Sequence, residues 1–443
     1  MRLRISSEKL FIFSYFIGII LAGACLLMLP AAWRGPAPLR FIDALFTSTS
    51  AVCVTGLITV DTALYTRLGQ SVIALLIQFG GLGIITFATI YVTLPRKRIS
   101  LVNRGIIKQY YIEEIEYNPK LIIKHILVST LAIETLGAAL LYPRFRGEPQ
   151  AVFTSAFHAV SAFCNAGFST FPDSLESRVS DPVVNLVVMS LIVAGGIGFT
   201  TLRDIGKRAT GSKRRLSTQT KVVLSTTAVL LLGGAAVYYV LEAGHAYRGM
   251  PPGERLMAAA FQSVTPRTAG FDTVPQSRLS DASVLVTMIL MFIGASPGST
   301  GGGVKTTTLF IVVLAALRGV DEKSRLAVGR RAIPTTTILK AFSIIGKAVL
   351  LVVASATALL AMERHAVVSG DLGLVEVLFE SISAFGTVGL SLGITARLSA
   401  AGKLVLVLTM FAGRVGLFAM ALPKPRGSLE RYVDLPSTDM MTG

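Results

Sequence analysis

The sequence predicts an all-α polytopic membrane protein, with eight transmembrane helices arranged as four helix–pore-loop–helix repeats around one central pore. Three observations predict it. Of the 443 residues 52% are hydrophobic and only 15% charged, against about 25% charged in a soluble globular chain. Apolar runs of the roughly 20 residues needed to cross a hydrocarbon core recur along the chain. Between them a short motif ending in glycine appears four times.

Leu10–Pro30 is the first apolar run. It is too long for a secretory leader and no small-residue cleavage site closes it, so it reads as a retained helix. Ser71–Leu94, Leu121–Tyr142, Pro182–Thr201 and Val222–Leu241 follow. Ala282–Ile293 begins a sixth run that continues past a glycine-rich interruption to Leu317, and Ala341–Ala361 and Leu404–Leu422 complete eight. The resulting repeats cover 8–94, 121–203, 220–318 and 335–423.

The net charge of +17 is placed unevenly. Arg2, Arg4 and Lys9 precede the first run, and Lys424, Arg426 and Arg431 follow the last. Arg96, Lys97, Arg98, Arg104, Lys108, Lys120 and Lys124 lie between the second and third. Comparable basic groups, Arg203–Lys221 and Arg318–Lys340, separate the fourth run from the fifth and the sixth from the seventh. By the positive-inside rule both termini and these loops face the cytoplasm. Their basic faces suit anionic membrane lipids and a docked protein partner. Such placement argues against nucleic acid. Cys25, Cys53 and Cys164 have no metal-type spacing, and the four histidines form no ligand cluster, so neither a metalloenzyme nor a nucleophile–base pair is expected.

The repeated motif reads ALFTSTSAVCVTGL (44–57), SAFHAVSAFCNAGF (155–168), AAFQSVTPRTAGF (259–271) and VLFESISAFGTVGL (377–390). Each copy has a Phe, a Ser or Thr four residues on, and then a glycine: Gly56, Gly167, Gly270 and Gly389. A further glycine (Gly80, Gly195, Gly294, Gly413) follows 24, 28, 24 and 24 residues later. Small residues for helix packing would explain scattered glycines but not four phased copies. The segment before each motif glycine is too short to span and suits a re-entrant helix. Non-helical backbone at membrane depth must line a cavity. Four such loops would offer carbonyls in place of a cation's hydration shell, with the partly negative helix C-termini behind them.

These four loops resemble the bacterial Trk/Ktr potassium-transporter superfamily, and the resemblance covers essentially the whole chain. Its length points to the Ktr-type membrane subunit, since Trk-like relatives carry two extra N-terminal crossings. The resemblance implies K⁺ as the permeant ion and one filter glycine per repeat. Filter carbonyls would come from Val54, Thr55 and Gly56; Asn165, Ala166 and Gly167; Thr268, Ala269 and Gly270; and Thr387, Val388 and Gly389. Pro266, where the other copies have Ala51, Ala162 and Ala384, is a local departure. The resemblance also implies a homodimer in the bacterial plasma membrane. A cytosolic ring of RCK-type nucleotide-binding regulatory subunits would accompany it, leaving this chain with no cofactor of its own.

In this family a glycine-rich gate loop interrupts the second helix of the third repeat. The matching stretch is Gly294, Ala295, Ser296, Pro297, Gly298, Ser299, Thr300, Gly301, Gly302 and Gly303. Pro297 lacks an amide donor and five glycines disfavour continuous helix, so the residues themselves also predict a break. Arg414 lies in the middle of the last apolar run, where a charge is costly and usually functional. It is expected to face the pore and contact this loop, as a latch, an electrostatic barrier or a structural bridge to loop carbonyls. Lys305 either reinforces that barrier or ends the broken segment in an aqueous vestibule.

Two other readings compete. Residues 298–306 approach a phosphate loop, but Val304 separates the second glycine from Lys305, and the required strand-to-helix context is missing. A Na⁺- or H⁺-coupled symporter would use mid-membrane carboxylates. Glu134 is the best candidate for that role, although a hydrogen-bonded structural group is the favoured reading of it. Asp43, Glu376 and Glu380 lie near the outer mouth, where they are expected to raise the local cation concentration.

Overall fold

The computed structural model describes residues 7–93, 119–211, 215–319, 325–328 and 331–416, and the chain is mostly helical over them. Its first part runs α1 (Ser7–Leu27), α2 (Phe41–Cys53), α3 (Arg67–Thr93), α4 (Pro119–Phe145), α5 (Ala151–Phe163), α6 (Pro182–Gly196) and α7 (Phe199–Ala209). Then come α8 (Thr218–Leu241), α9 (Pro252–Val264), α10 (Asp281–Phe292) and α11 (Thr306–Arg318). The antiparallel hairpin β1 (Arg325–Val328) and β2 (Arg331–Pro334) follows, pairing Leu326 with Ile333. Last are α12 (Thr335–Met362), α13 (Arg364–Val368), α14 (Leu374–Gly386) and α15 (Ala400–Phe411), ending in a π-turn at Ala412–Gly416.

Length separates two kinds of helix. The segments Ile123–Phe145, Thr218–Leu241 and Thr335–Met362 are long and apolar enough to cross a membrane. By contrast α2, α5, α9 and α14 have 13 residues each, about 20 Å at 1.5 Å per residue. That is well short of a core about 30 Å thick. Their C-terminal turns are buried: Ser48, Ala51, Val52 and Cys53 of α2 are all inaccessible. The outer faces of the long helices are the reverse, with Val229, Leu232 and Val240 of α8 each at least 70% exposed. Large aliphatic side chains in such a row need lipid to cover them.

Two of the predicted apolar runs are not single helices. Pro182–Thr201 divides into α6 and α7, which meet at 104°. Gly198 makes the corner at φ +89, and a Cβ there would lie 2.5 Å from the Pro297 carbonyl oxygen. The other divided run is α10 and α11, separated by the glycine-rich stretch.

Each short helix is bracketed by a clasp that ties the end of one flanking helix or its following loop to the start of the other. Thr66 Oγ1 donates to Ala31 O at 2.6 Å and caps Gly69 N. Arg144 Nε donates to Asp181 Oδ2 at 2.7 Å, while Asp181 Oδ1 caps Val183 N and Val184 N. Glu242 Oε1 accepts from both the amide and the hydroxyl of Ser280 at 2.9 and 2.6 Å, and Glu363 Oε1 holds Ser399 in the same way at 2.8 and 2.6 Å. All four capping residues are Thr, Asp or Ser, the types that satisfy orphan helix amides. Partial burial pushes the Asp181 carboxyl up, but Arg144 and the Val184 and Val183 amides outweigh it and hold the group below its usual value.

The first and last segments meet through an ion pair: Lys403 Nζ of α15 lies 2.7 Å from Asp43 Oδ1 of α2. Basic positions Arg2, Arg4, Arg96, Lys97, Arg98, Arg104, Lys108, Lys424, Arg426 and Arg431 lie outside the described residues, as does the predicted fourth repeat beyond residue 416.

Candidate functional site

Each short helix ends in a loop with left-handed backbone at two alternate positions. The φ angles are 57° and 94° at Val54 and Gly56, and 60° and 69° at Asn165 and Gly167. They are 73° and 75° at Thr268 and Gly270, and 51° and 98° at Thr387 and Gly389. Glycine accepts this conformation readily. For β-branched Val54, Thr268 and Thr387 it is an outlier costing about 1–3 kcal/mol each, of the kind found at functional sites.

The four loops close on one another in a ring. A Cβ on Gly56 would lie 2.6 Å from Ala166 O, and one on Gly167 would lie 2.7 Å from Ala269 O. On Gly270 it would meet Val388 O at 2.2 Å, and on Gly389 it would meet Thr55 O at 2.3 Å. The carbonyls of Thr55, Ala166, Ala269 and Val388 therefore each stand against the glycine of a neighbouring loop. Both φ and space demand glycine at all four positions. The Ser or Thr of the motif holds the loop in three copies: Ser50 Oγ accepts from Gly56 N at 3.0 Å, Ser383 Oγ from Gly389 N at 3.1 Å, and Thr265 Oγ1 donates to Phe271 O at 2.7 Å.

Residues 294–303 lie against this ring. The backbone leaves α10, folds back and meets itself, with Ile293 bridged to Val304 and Gly303 (φ +64) packed on Gly294. A Cβ on Gly301 would strike Thr268 Oγ1 at 2.1 Å, and one on Gly302 would strike Thr387 Oγ1 at 2.3 Å. The corner between α6 and α7 receives the other side of the loop. Ser296 N donates to Gly196 O at 2.9 Å, Thr300 N to Gly195 O at 3.3 Å, and Phe199 N to Gly298 O at 3.0 Å. Ala295 is buried against Gly301, and Ser296 Oγ pairs with Thr306 Oγ1 at 3.0 Å. Ser299 is also buried, and among the described residues no partner reaches its Oγ.

Arg414, 5% exposed, projects from the π-turn to the loop. Nη1 donates to Thr300 O and Nη2 to Gly80 O at 2.9 Å. Single π-turns often mark functional positions, because the extra residue redirects a side chain. Lys305 turns back on the same loop, its Nζ donating to Gly301 O at 2.7 Å and Gly302 O at 3.3 Å. Two cations thus bind carbonyls of three successive residues, Thr300 to Gly302.

The carboxylates near the mouth have other occupations. Asp43 is neutralised by Lys403, Glu376 caps its own helix through Gly373 N at 2.6 Å, and Glu380 is fully buried with Ser391 Oγ donating to it at 2.9 Å. Each of the three carboxylates thus has a donor of its own: Lys403, the Gly373 amide and the Ser391 hydroxyl. Glu134 is 5% exposed and takes a 2.5 Å hydrogen bond from Gln78 Nε2, with Cys164 Sγ at 3.8 Å. Among the described residues no group of His, Cys, Asp or Glu could hold a metal ion. The sequence did not show the seat that Gly195, Gly196 and Gly198 make for the loop; its signals there were the density of glycine and the spacing of 28 residues from Gly167 to Gly195, against 24 in the other copies.

Comparison with known proteins agrees with this architecture. Residues 4–428 match the TrkH family, described as cation transport proteins. The chain is 36% identical to the Ktr system potassium uptake protein B of Bacillus subtilis, over 99% of this chain and 97% of that protein. It is 39% identical to the potassium/sodium uptake protein NtpJ of Enterococcus hirae, over 95% of this chain and 93% of the other. Among solved structures, the potassium transporter TrkH from Vibrio parahaemolyticus superposes with a TM-score of 0.75 at 20% identity, covering 95% of this chain and 85% of that one. That likeness establishes the shared fold. The chain belongs to the TrkH/Ktr family of membrane cation transporters and is not an enzyme.

Proposed function

We propose that this chain is the potassium-translocating, pore-forming subunit of a K⁺ uptake system in the bacterial plasma membrane, with eight crossings in four repeats around one pore. The observation that carries this reading is the closed ring of four glycine loops, each carbonyl standing against the next glycine. Rings of backbone carbonyls replace an ion's hydration shell. The names of the Bacillus and Enterococcus relatives support potassium as the ion. Inward movement is driven by the membrane potential, about 2.3 kcal/mol per charge per 100 mV.

In this reading residues 294–303 are the gate beneath the filter, latched by Arg414 and Lys305. A cytosolic ring of nucleotide-binding subunits moves the gate, the subunit works as a homodimer, and both termini are cytoplasmic among anionic lipids. The support is the loop's position against Thr268 and Thr387, its hydrogen bonds to the two cations, and the word "system" in the names of relatives.

The test is ⁸⁶Rb⁺ or K⁺ uptake in cells lacking their own K⁺ importers, with and without a Ktr-type regulatory subunit co-expressed. The chain is expected to restore uptake and growth at low K⁺, most strongly with the partner. No uptake in either case, with the protein present in the membrane, contradicts the proposal. A second reading, Na⁺-coupled K⁺ symport, is favoured by the potassium/sodium name of the Enterococcus relative. It requires K⁺ uptake to vanish when Na⁺ is withdrawn.

A further inference from the structure

The residue immediately after the repeat Phe is polar in all four copies of the motif: Thr47, His158, Gln262 and Glu380. All four are at most 1% exposed, at or beyond the middle of the short helices and buried with them. A buried polar group costs free energy unless it is hydrogen-bonded, and an apolar pair of the same shape would do as well for packing alone. Four different chemistries at one phased position therefore need a common reason.

Their partners supply it. Each side chain bonds to the segment that follows the filter glycine of its own repeat. Tyr65 OH donates to Thr47 Oγ1 at 3.3 Å. His158 Nε2 pairs with Ser169 Oγ at 2.9 Å, while Nδ1 lies 2.8 Å from Thr154 O, which can only accept. Ser169 Oγ also lies 3.0 Å from Ser174 O and accepts from Phe171 N at 3.0 Å, which ties the His158 ring to the turn after Gly167. Gln262 and Gln276 exchange reciprocal amide bonds of 2.8 and 3.2 Å. Glu380 accepts from Ser391 Oγ at 2.9 Å and from Thr395 Oγ1.

We infer that Thr47, His158, Gln262 and Glu380 form a polar brace behind the filter that fixes its outer end and thereby sets discrimination between K⁺ and Na⁺. They are positioning residues, and the inference rests on the filter reading above. The strained left-handed residues at Val54, Thr268 and Thr387 hold their shape only if the surroundings over-determine them. Ser50, Thr265 and Ser383 anchor each of those loops close to its glycine. The brace anchors the chain after it has left the filter. Without that second anchor the loops can slide inward, and a narrower or softer ring no longer penalises the smaller Na⁺.

The experiment measures K⁺ and Na⁺ uptake of wild type, Thr47→Val, Gln262→Met, Glu380→Leu and Glu380→Gln in the same importer-deficient cells. The readout is the K⁺/Na⁺ ratio, which does not depend on how much protein reaches the membrane. Thr47→Val, Gln262→Met and Glu380→Leu are expected to lower the ratio by about three- to tenfold, the effect of losing about one net hydrogen bond. Glu380→Gln keeps its bonds to the two hydroxyls and is expected to keep the ratio. Thr47→Val hardly changes volume, so it carries the test if a larger substitution fails to fold. A K⁺-selective wild type with unchanged ratios in the first three variants overturns the brace alone. A wild type with no K⁺ uptake overturns the pore reading itself.

Discussion

Arg414 is a guanidinium held in the interior by two backbone carbonyls, Thr300 O and Gly80 O, and its Nε has no partner among the described residues. Burying such a charge is expensive, and among the described residues no acidic side chain lies within salt-bridge distance to compensate. What it gains is two charge-assisted hydrogen bonds, one of them to the glycine-rich loop. Such bonds are worth about 1.5–3 kcal/mol each. Arg414→Ala is therefore expected to raise K⁺ flux in the absence of the regulatory partner by about tenfold or more, since about 1.4 kcal/mol is a factor of ten. Flux per unit of membrane protein in proteoliposomes checks this, and equal or lower flux contradicts a latch. At this scale the sequence was informative for the four loop glycines, whose phasing does not depend on where the helices end. It was uninformative about Glu242 and Glu363, whose clasps to Ser280 and Ser399 span 36 to 38 residues and leave no local pattern.

The loop over 294–303 is the element proposed as the gate. It fills the space against Thr268 and Thr387, yet its own backbone makes few internal bonds and relies on α6, α7, Lys305 and Arg414 for partners. An element held mainly from outside can be released by moving its supports, which suits a gate. Deleting residues 298–303 is expected to raise partner-independent K⁺ flux, with uptake no longer responding to co-expressed regulatory subunit. Unaltered flux and an intact response contradict the gate. Sequence reasoning found the break because Pro297 and the surrounding glycines forbid a helix. It missed the bend between α6 and α7, where Gly195, Gly196 and Gly198 look like ordinary small residues of a packed membrane helix. Only the positive φ of Gly198 and its contact with the Pro297 carbonyl show the difference.

For the whole molecule, closure is the organising fact. The loop carbonyls and glycines meet in the order first, second, third, fourth and back to first, and the Asp43–Lys403 pair joins the ends of that circle. The chain's hydropathy made the membrane class legible, and its four phased motifs marked the loops that close the ring. They could not show that Asp43 is already engaged, because its partner Lys403 lies 360 residues away. The central claim is that this circle of carbonyls selects K⁺, and Gly56 is where it is most exposed to test. A Cβ there would meet Ala166 O at 2.6 Å on a backbone of φ +94, so any side chain must displace the neighbouring carbonyl. The decisive measurement is the K⁺/Na⁺ flux ratio of wild type and Gly56→Ser in proteoliposomes under a fixed inside-negative potential. A K⁺-preferring wild type, with the ratio reduced by about tenfold or more in Gly56→Ser, is the predicted result. A Gly56→Ser ratio equal to that of wild type would contradict the account.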